Sequence, residues 1–479
     1  MTQAKTLQTD VAVIGAGSAG LNARREAEIQ GARALMIESG PYGTTCARVG
    51  CMPSKLLIAA ADHAHEIASA DSFGIRVPEV RVDGVAVLER VRRERDRFVG
   101  FVVDDVEALD PGLRLRGSAR FVDPNRLELD DGTRIDAKAI VVATGSAPQI
   151  PDALAGVQGR VLTTDSIFEL ADLPESVAVF GTGIIALELG QALHRLGVRV
   201  SLFARSGRLG PLSDPGLQQA ATEVFASELD IRLASAVEAR PAGDSGVALR
   251  WTESGESHQA NFEYVLAAAG RRPNLERLEL GRAGVALGPN GIPRFDPLTG
   301  QLGSAPIFVA GDVTGERALL HEASDEGRIA GYNAAHFPDV RAHRRRTGLN
   351  IAFTDPQIAV VGRAFSELDP DRVESGRVDF ADQGRARVMG KNSGEVRIYA
   401  DRHDGRLLGA EMLGPRVENM AHLLAWAVQS GMTVQEALQM PFYHPVLEEG
   451  LRTALRDLAR KLRFERAPCA RDLDCGPGA

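Results

Sequence analysis

The sequence predicts an α/β protein with two strand–glycine turn–helix–strand units and a mixed α and β C-terminal part. Three observations carry this. An apolar run, Val11-Ala12-Val13-Ile14, leads directly into Gly15-Ala16-Gly17-Ser18-Ala19-Gly20. The same pattern returns as Val177-Ala178-Val179-Phe180 before Gly181-Thr182-Gly183-Ile184-Ile185-Ala186. Beyond about residue 346 the texture changes to short strand-like stretches followed by helical periodicity. The 479 residues suggest roughly three domains.

In the first unit, residues 21–30 read as a helix closed by Gly31, and 34–37 as a second strand finishing at Glu38. Residues 83–109 read as a long Arg-rich helix whose charge run is a solvated face. Residues 139–145 and 307–312 each read as a buried strand running into a turn. In the second unit a helix runs to Leu196 and a strand over 198–203. Residues 395–400 and 406–411 read as strands, and 416–430 and 433–439 as helices. Leu451, Leu455, Leu458 and Leu462 recur at helical spacing and face a core. The residues after 462 hold Pro, Gly and charge, and read as a flexible tail.

Composition excludes several classes. Hydrophobic residues at 44% and charged residues at 25% are ordinary for a globular chain, not for a disordered or collagen-like one. No run approaches about 18 apolar residues, so no membrane partner is expected. The first residues lack a signal-like apolar stretch, and a cytoplasmic location is expected. The net charge of −9 argues against a nucleic-acid partner. Four cysteines, at 46, 51, 469 and 475, are too few for a disulfide scaffold. The close pair points to redox or metal chemistry instead.

The glycines at 15, 17 and 20 allow a tight turn and close approach to a pyrophosphate at a helix N-terminus. Glu38, at the end of the next strand, is placed to accept ribose hydroxyls; the plain alternative is a structural turn. The second turn has Ala186 at its third position. Its second strand ends in Ala204-Arg205 rather than an acid. A carboxylate repels a 2′-phosphate and an Arg pairs with it, so NADPH is expected over NADH. The alternative is one more surface Arg in an Arg-rich chain.

The stretch Gly43-Thr44-Thr45-Cys46-Ala47-Arg48-Val49-Gly50-Cys51-Met52-Pro53-Ser54-Lys55 comes next. A helical turn brings thiols at this separation within disulfide reach. Pro53 suits a first helical turn, which puts Cys51 at a helix N-terminus where the dipole favours a thiolate. The stretch has too few ligands for a metal, and no metal is expected. His444, five residues before Glu449, is a proton-shuttle candidate, though alone a structural His fits as well.

Together these stretches resemble the class I pyridine nucleotide–disulfide oxidoreductases, the group of dihydrolipoamide dehydrogenase, glutathione reductase and mercuric reductase. The resemblance covers about residues 8–460. Its motifs stand in the family's order: the first glycine turn, Cys46 to Lys55, Ala143-Thr144-Gly145, the second glycine turn, Gly270-Arg271-Arg272-Pro273-Asn274, Gly311-Asp312, and His444-Pro445 with Glu449. It implies two Rossmann-like dinucleotide-binding domains and an α+β dimerisation domain. The FAD-binding part is 1–150 with 275–345, the NAD(P)-binding part 151–274, the dimerisation part 346–462 and the tail 463–479.

The resemblance also implies roles. Gly15, Gly17, Gly20 and Glu38 hold the ADP half of FAD. Asp312 bonds its ribityl chain, and Thr45, Gly117, Thr144 and Gly145 match further flavin contacts. Gly181, Gly183, Ala186 and Gly270 line the NADPH (or NADH) site. Cys51 lies beside the flavin, Cys46 attacks the substrate, and Lys55 pairs with Glu188 near the flavin. His444, held by Glu449 and supplied from the partner subunit of a homodimer, protonates the leaving thiol.

The implied substrate is a small or protein-bound dithiol or disulfide, with dihydrolipoamide or a lipoyl protein leading and a glutathione-like disulfide second. Three further readings stay open. One is a mercuric reductase-like enzyme using Cys469 and Cys475, one a subunit docked to a lipoyl partner, and one a transhydrogenase-like flavoprotein with incidental thiols. Three residues depart from the family pattern: Arg48 between the cysteines, Arg205 in place of the acid of NAD-type members, and Val446 where Thr is common.

Overall fold

The computed structural model describes residues 5–463 except 244, 245 and 289. Cys469 and Cys475, with nearly all of the expected tail, lie outside the described residues.

The first apolar run forms the middle of a parallel sheet. Val11, Ala12 and Val13 are fully buried, as a strand covered on both faces requires. This strand, Thr6–Ile14, begins earlier than its apolar run because its polar half pairs with residues 134–137. Ala34–Glu38 lies in parallel on its other side. The long strand Arg134–Val142 serves further partners at its two ends. Its first half pairs antiparallel with Arg126–Leu129, and its second half pairs parallel with Ile307–Val309. The chain thus returns to the first sheet after building the second.

Helices Ser18–Ile29 and Leu320–His336 cover one face of this sheet and pack on each other. Glycines set the approach. A Cβ on Gly327 would lie 2.3 Å from the Ala19 carbonyl oxygen, and one on Gly331 2.2 Å from that of Ala23.

The second sheet has five parallel strands in the order Asp230–Leu233, Arg199–Ala204, Ser176–Phe180, Tyr264–Ala267, Val161–Leu162. Residues 186–193 of the Ile184–Arg195 helix are all buried. An antiparallel sheet of Ser235–Ala242, Gly246–Glu253 and Glu256–Phe262 flanks it. The short pair Ser146–Pro148 and Arg271–Pro273 carries the chain out to this part and back.

The C-terminal part is a five-stranded antiparallel sheet, in the order Leu349–Ala352, Gln357–Gly362, Leu407–Gly414, Glu395–Asp401, Val373–Asp379. Helices Val417–Gln429 and Glu449–Leu462 pack on it. Leu451, Leu455 and Leu458 are buried and Leu462 is partly so.

The Arg-rich helix, Gly84–Glu107, is capped by the Asp83 side chain. Its arginines are not all solvated, however. The Arg95 side chain is 11% exposed and pairs with Glu169, and Arg92 donates to the Leu170 carbonyl at 2.6 Å. The run therefore fastens this helix to the second sheet's surroundings. Among the described residues no helix is long and apolar enough to cross a membrane.

Gly331→Ala sets a methyl against rigid backbone, where no side chain can turn away. A loss of about 1–3 kcal/mol is expected in equilibrium denaturation. Gly159→Ala, with nothing within 4 Å of its Cβ position, is expected to stay within about 0.5 kcal/mol of the parent.

Candidate active site

The first glycine turn lies between Thr6–Ile14 and the helix from Ser18. A Cβ on Gly15 would meet the Ala143 carbonyl oxygen at 2.2 Å, and one on Gly20 that of Gly15 at 1.9 Å. Gly17 differs, with nothing within 4 Å of its Cβ position. It caps the helix without a side-chain bond, so the first amides face open space, as an anionic pyrophosphate needs. Glu38 is fixed beside them. Its Oε2 accepts from the Ala16 amide at 2.7 Å and its Oε1 from the Gly40 amide at 2.6 Å. The Gly117 amide donates to the Glu38 carbonyl at 3.1 Å, bringing Gly117 to the same edge.

Further polar groups gather at the carboxyl end of this sheet. Asp312 Oδ2 accepts from Ser146 Oγ at 2.9 Å and stands 4.0 Å from Arg271 Nε. Thr144 Oγ1 donates to the Asn274 carbonyl at 2.7 Å, and the Asn274 amide nitrogen donates to the Gly145 carbonyl at 2.9 Å. The Gly311 amide donates to buried Glu326 at 2.7 Å, which holds the turn before Asp312. An open glycine turn, a fixed carboxylate and polar groups gathered at the strand ends fit a dinucleotide such as FAD.

The second turn repeats the first. A Cβ on Gly181 would lie 2.4 Å from the Ala268 carbonyl oxygen, while Gly183 is open and caps its helix without a side-chain bond. Ala186 is fully buried, its methyl taken up in the packing. Gly270 adopts φ +130° and its carbonyl accepts from the Gln149 amide at 3.0 Å. Arg205 is exposed at the end of Arg199–Ala204, and among the described residues it has no ion pair.

The cysteines sit on two helices rather than one continuous turn. Thr45–Val49 carries Cys46, Cys51–Ala68 begins at Cys51, and Gly50 joins them. A Cβ on Gly50 would lie 3.1 Å from the Cys46 Cα, so the joint favours glycine. Thr45 is exposed at the start of the first helix. Both thiols are free, Cys46 half-buried and Cys51 exposed.

Their protonation is unequal. Cys46 donates to the Cys51 sulfur, and this bond, with burial behind it, pushes the Cys46 thiol up. The same bond, aided by the Lys55 charge, brings Cys51 down to about 7. Cys51 is the more acidic thiol of the pair and Cys46 the less acidic.

Lys55 lies one turn beyond Cys51 on the same helix. Its Nζ is 2.6 Å from Glu188 Oε2 and 4.8 Å from the centroid of the Phe353 ring. Glu188 is buried, and its other oxygen accepts from the Phe353 amide at 2.8 Å. One carboxylate therefore joins the cysteine helix, the second nucleotide unit and the C-terminal part.

His444 Nδ1 is 3.0 Å from Glu449 Oε2, and the His side chain is 80% exposed. Donation from Nδ1 leaves Nε2 facing outward as an acceptor. Glu449 opens the last helix. Against the burial that raises it, bonds from His444 and the Val446 amide hold the Glu449 carboxyl below its ordinary value.

Cys46, Cys51, Lys55 and Glu188 thus form one cluster and His444 with Glu449 another. Among the described residues no hydrogen bond or ion pair joins the two. The sequence gives no sign of Phe353, Ser146 or Glu326. None stands in a motif, and Phe353 and Ser146 act through partners more than 150 residues away, Glu188 and Asp312.

The ultraviolet thiolate absorbance of the reduced protein should rise with a midpoint near pH 7, about where Cys51 titrates. Below it Cys51 is a thiol and above it a thiolate. Cys46→Ala removes the donated bond and should move the midpoint upward. An unmoved midpoint contradicts the assignment.

Comparison with known proteins places this geometry. Residues 9–327 match the family model described as pyridine nucleotide-disulphide oxidoreductase. Residues 350–455 match its dimerisation domain. A dihydrolipoyl dehydrogenase 3 of Pseudomonas aeruginosa is 32% identical, covering 94% of this chain and 97% of its own. A mercuric reductase of Shigella flexneri is 31% identical, with 95% and 81% covered. LpdA from Mycobacterium tuberculosis superposes with a TM-score of 0.80 at 26% identity, over 93% of this chain and 99% of its own. The chain belongs to the pyridine nucleotide-disulphide oxidoreductases, a family that is FAD-dependent and uses NAD(P)H.

Proposed function

We propose that this protein is a homodimeric disulfide reductase, or in reverse a dithiol dehydrogenase, working between NADPH and a dihydrolipoamide-type substrate through Cys46 and Cys51. The observation that carries this is the unequal thiol pair, with Cys51 poised as a thiolate one turn from a buttressed lysine. Bound FAD supplies the two-electron relay between nucleotide and thiols.

The residues account for the thiol steps. Cys46 is the less acidic thiol, so it needs a base. His444 of the partner subunit, its Nδ1 held by Glu449, takes that proton at Nε2. The Cys46 thiolate attacks one sulfur of the external disulfide. That S–S bond breaks, a mixed disulfide forms on Cys46, and the leaving thiolate takes the proton back from His444. Cys51 then attacks the Cys46 sulfur and expels the second substrate thiolate. The substrate has gained two electrons and the Cys46–Cys51 pair has lost two, which NADPH restores. The exposed side chains of Leu423, Trp426, Met440 and Tyr443 favour burial against a second copy.

The leading substrate rests on the lipoyl dehydrogenases among the relatives. A specific observation favours a second reading, a small acidic disulfide. Arg48 lies between the cysteines, packs beside Gly43, and among the described residues has no ion-pair partner. Arg205 supports NADPH over NADH in either case.

A steady-state screen of lipoamide, glutathione disulfide and other small disulfides with both nucleotides tests the reading. NADPH should give the higher kcat/KM, and Arg205→Ala should narrow the gap about tenfold. Cys46→Ser should lower disulfide turnover by at least about a hundredfold while oxidation of NADPH by an artificial acceptor continues. Full disulfide turnover without Cys46 contradicts the mechanism, and equal use of both nucleotides contradicts the role of Arg205.

A further inference from the structure

Glu411 lies in the Leu407–Gly414 strand of the C-terminal sheet and is fully buried. A buried carboxylate is stable only with a full set of donors. Its Oε2 accepts from the Ser213 and Asp214 amides at 2.7 and 2.9 Å. Its Oε1 accepts from the Phe365 amide at 2.8 Å and from the Ser213 hydroxyl. Three of the four donors belong to residues 213 and 214, in the second nucleotide unit.

Asp214 is held on the same side. Arg397 Nη1 donates to it at 2.6 Å and the Tyr399 hydroxyl at 3.3 Å. Arg397 stands opposite Glu411 in the strand register. The loop is also pinned at its other end. Thr182, in the second glycine turn, donates from Oγ1 to the Arg208 carbonyl at 2.8 Å, and its backbone carbonyl accepts from the Gly210 amide at 2.8 Å. Gln218 closes the middle through Leu209 and Leu212. Residues 205–208 remain exposed.

We propose that Glu411 is a positioning residue for the nicotinamide nucleotide. By clamping residues 213 and 214 it fixes the loop that presents Arg205 and Arg208, so the C-terminal sheet sets affinity at the adenosine end. This rests on reading Gly181 to Ala186 and Arg205 as the nucleotide site. Each Glu411 oxygen accepts two donors. An amide in its place therefore sets an NH2 against a backbone N–H whichever way it is turned.

Calorimetric binding of 2′,5′-ADP and 5′-ADP to the holoenzyme, with KM for the disulfide, tests this. Glu411→Gln should weaken 2′,5′-ADP about tenfold and leave the disulfide KM within about twofold. Ser213→Ala, which removes only the hydroxyl, should shift binding in the same direction by less, and it serves if Glu411→Gln does not fold. Unchanged 2′,5′-ADP binding, or an equal rise in the disulfide KM, overturns the proposal. Arg205→Ala tests the nucleotide reading separately, through the ratio of the two ligands. If that ratio falls while the Glu411 and Ser213 variants bind normally, the clamp is wrong and the nucleotide reading stands. If Arg205→Ala leaves the ratio unchanged while Glu411→Gln weakens both ligands, the clamp stands without the 2′-phosphate contact.

Discussion

The Lys55–Glu188 ion pair is the constraint on which the arrangement of the cysteine pair depends. Glu188 is buried on the second nucleotide unit, with Lys55 at 2.6 Å on one oxygen and the Phe353 amide at 2.8 Å on the other. The Lys55 side chain is 32% exposed and that of Glu188 only 4%, so removing Lys55 leaves a buried carboxylate without its cation, which costs more than a surface pair gains. Glu188 therefore fixes how the cysteine helix, the second nucleotide unit and the C-terminal part sit at one point. It also fixes the Lys55 cation, whose charge lowers Cys51.

This arrangement separates two thiols that composition alone makes equivalent. Gly50 breaks the helix between them and lets Cys46 donate to Cys51. Cys51, exposed at a helix start, is the thiol shifted toward the thiolate, and Cys46 the one shifted toward the protonated form. A thiol in that state needs an external base. In the proposed mechanism that base is His444, whose side chain is 80% exposed in the other cluster and whose Nε2 has no hydrogen-bond partner among the described residues. A complete site is thus expected where two copies meet.

Much of the fold was legible because its strongest signals are local. A buried parallel strand reads as a short apolar run, and a glycine turn must follow it directly. Both units announce themselves in this way at Val11 and Val177. The flanking sheet of residues 235–262 was not legible. Its strand Glu256–Phe262 opens on four polar residues, Glu256-Ser257-His258-Gln259, with neither an apolar run nor alternation, and reads like loop. In the Arg run of 83–109, Arg90, Arg93 and Arg97 are exposed, while the anchoring of Arg92 and Arg95 is hidden from the sequence because Leu170 and Glu169, which receive them, lie far along the chain. The candidate site divides in the same manner. The cysteines and glycines stand in compact motifs, whereas Phe353 and Glu411 act only through folding, and no spacing signals them.

The proposed mechanism requires nucleotide electrons to reach the Cys46–Cys51 pair. Alkylation of the air-oxidised holoenzyme before and after anaerobic addition of NADPH, read by mass spectrometry, tests it most directly. The predicted result is that Cys46 and Cys51 resist the label at first and both accept it once the nucleotide is present. Labelling of both before NADPH, or of neither after it, contradicts the claim.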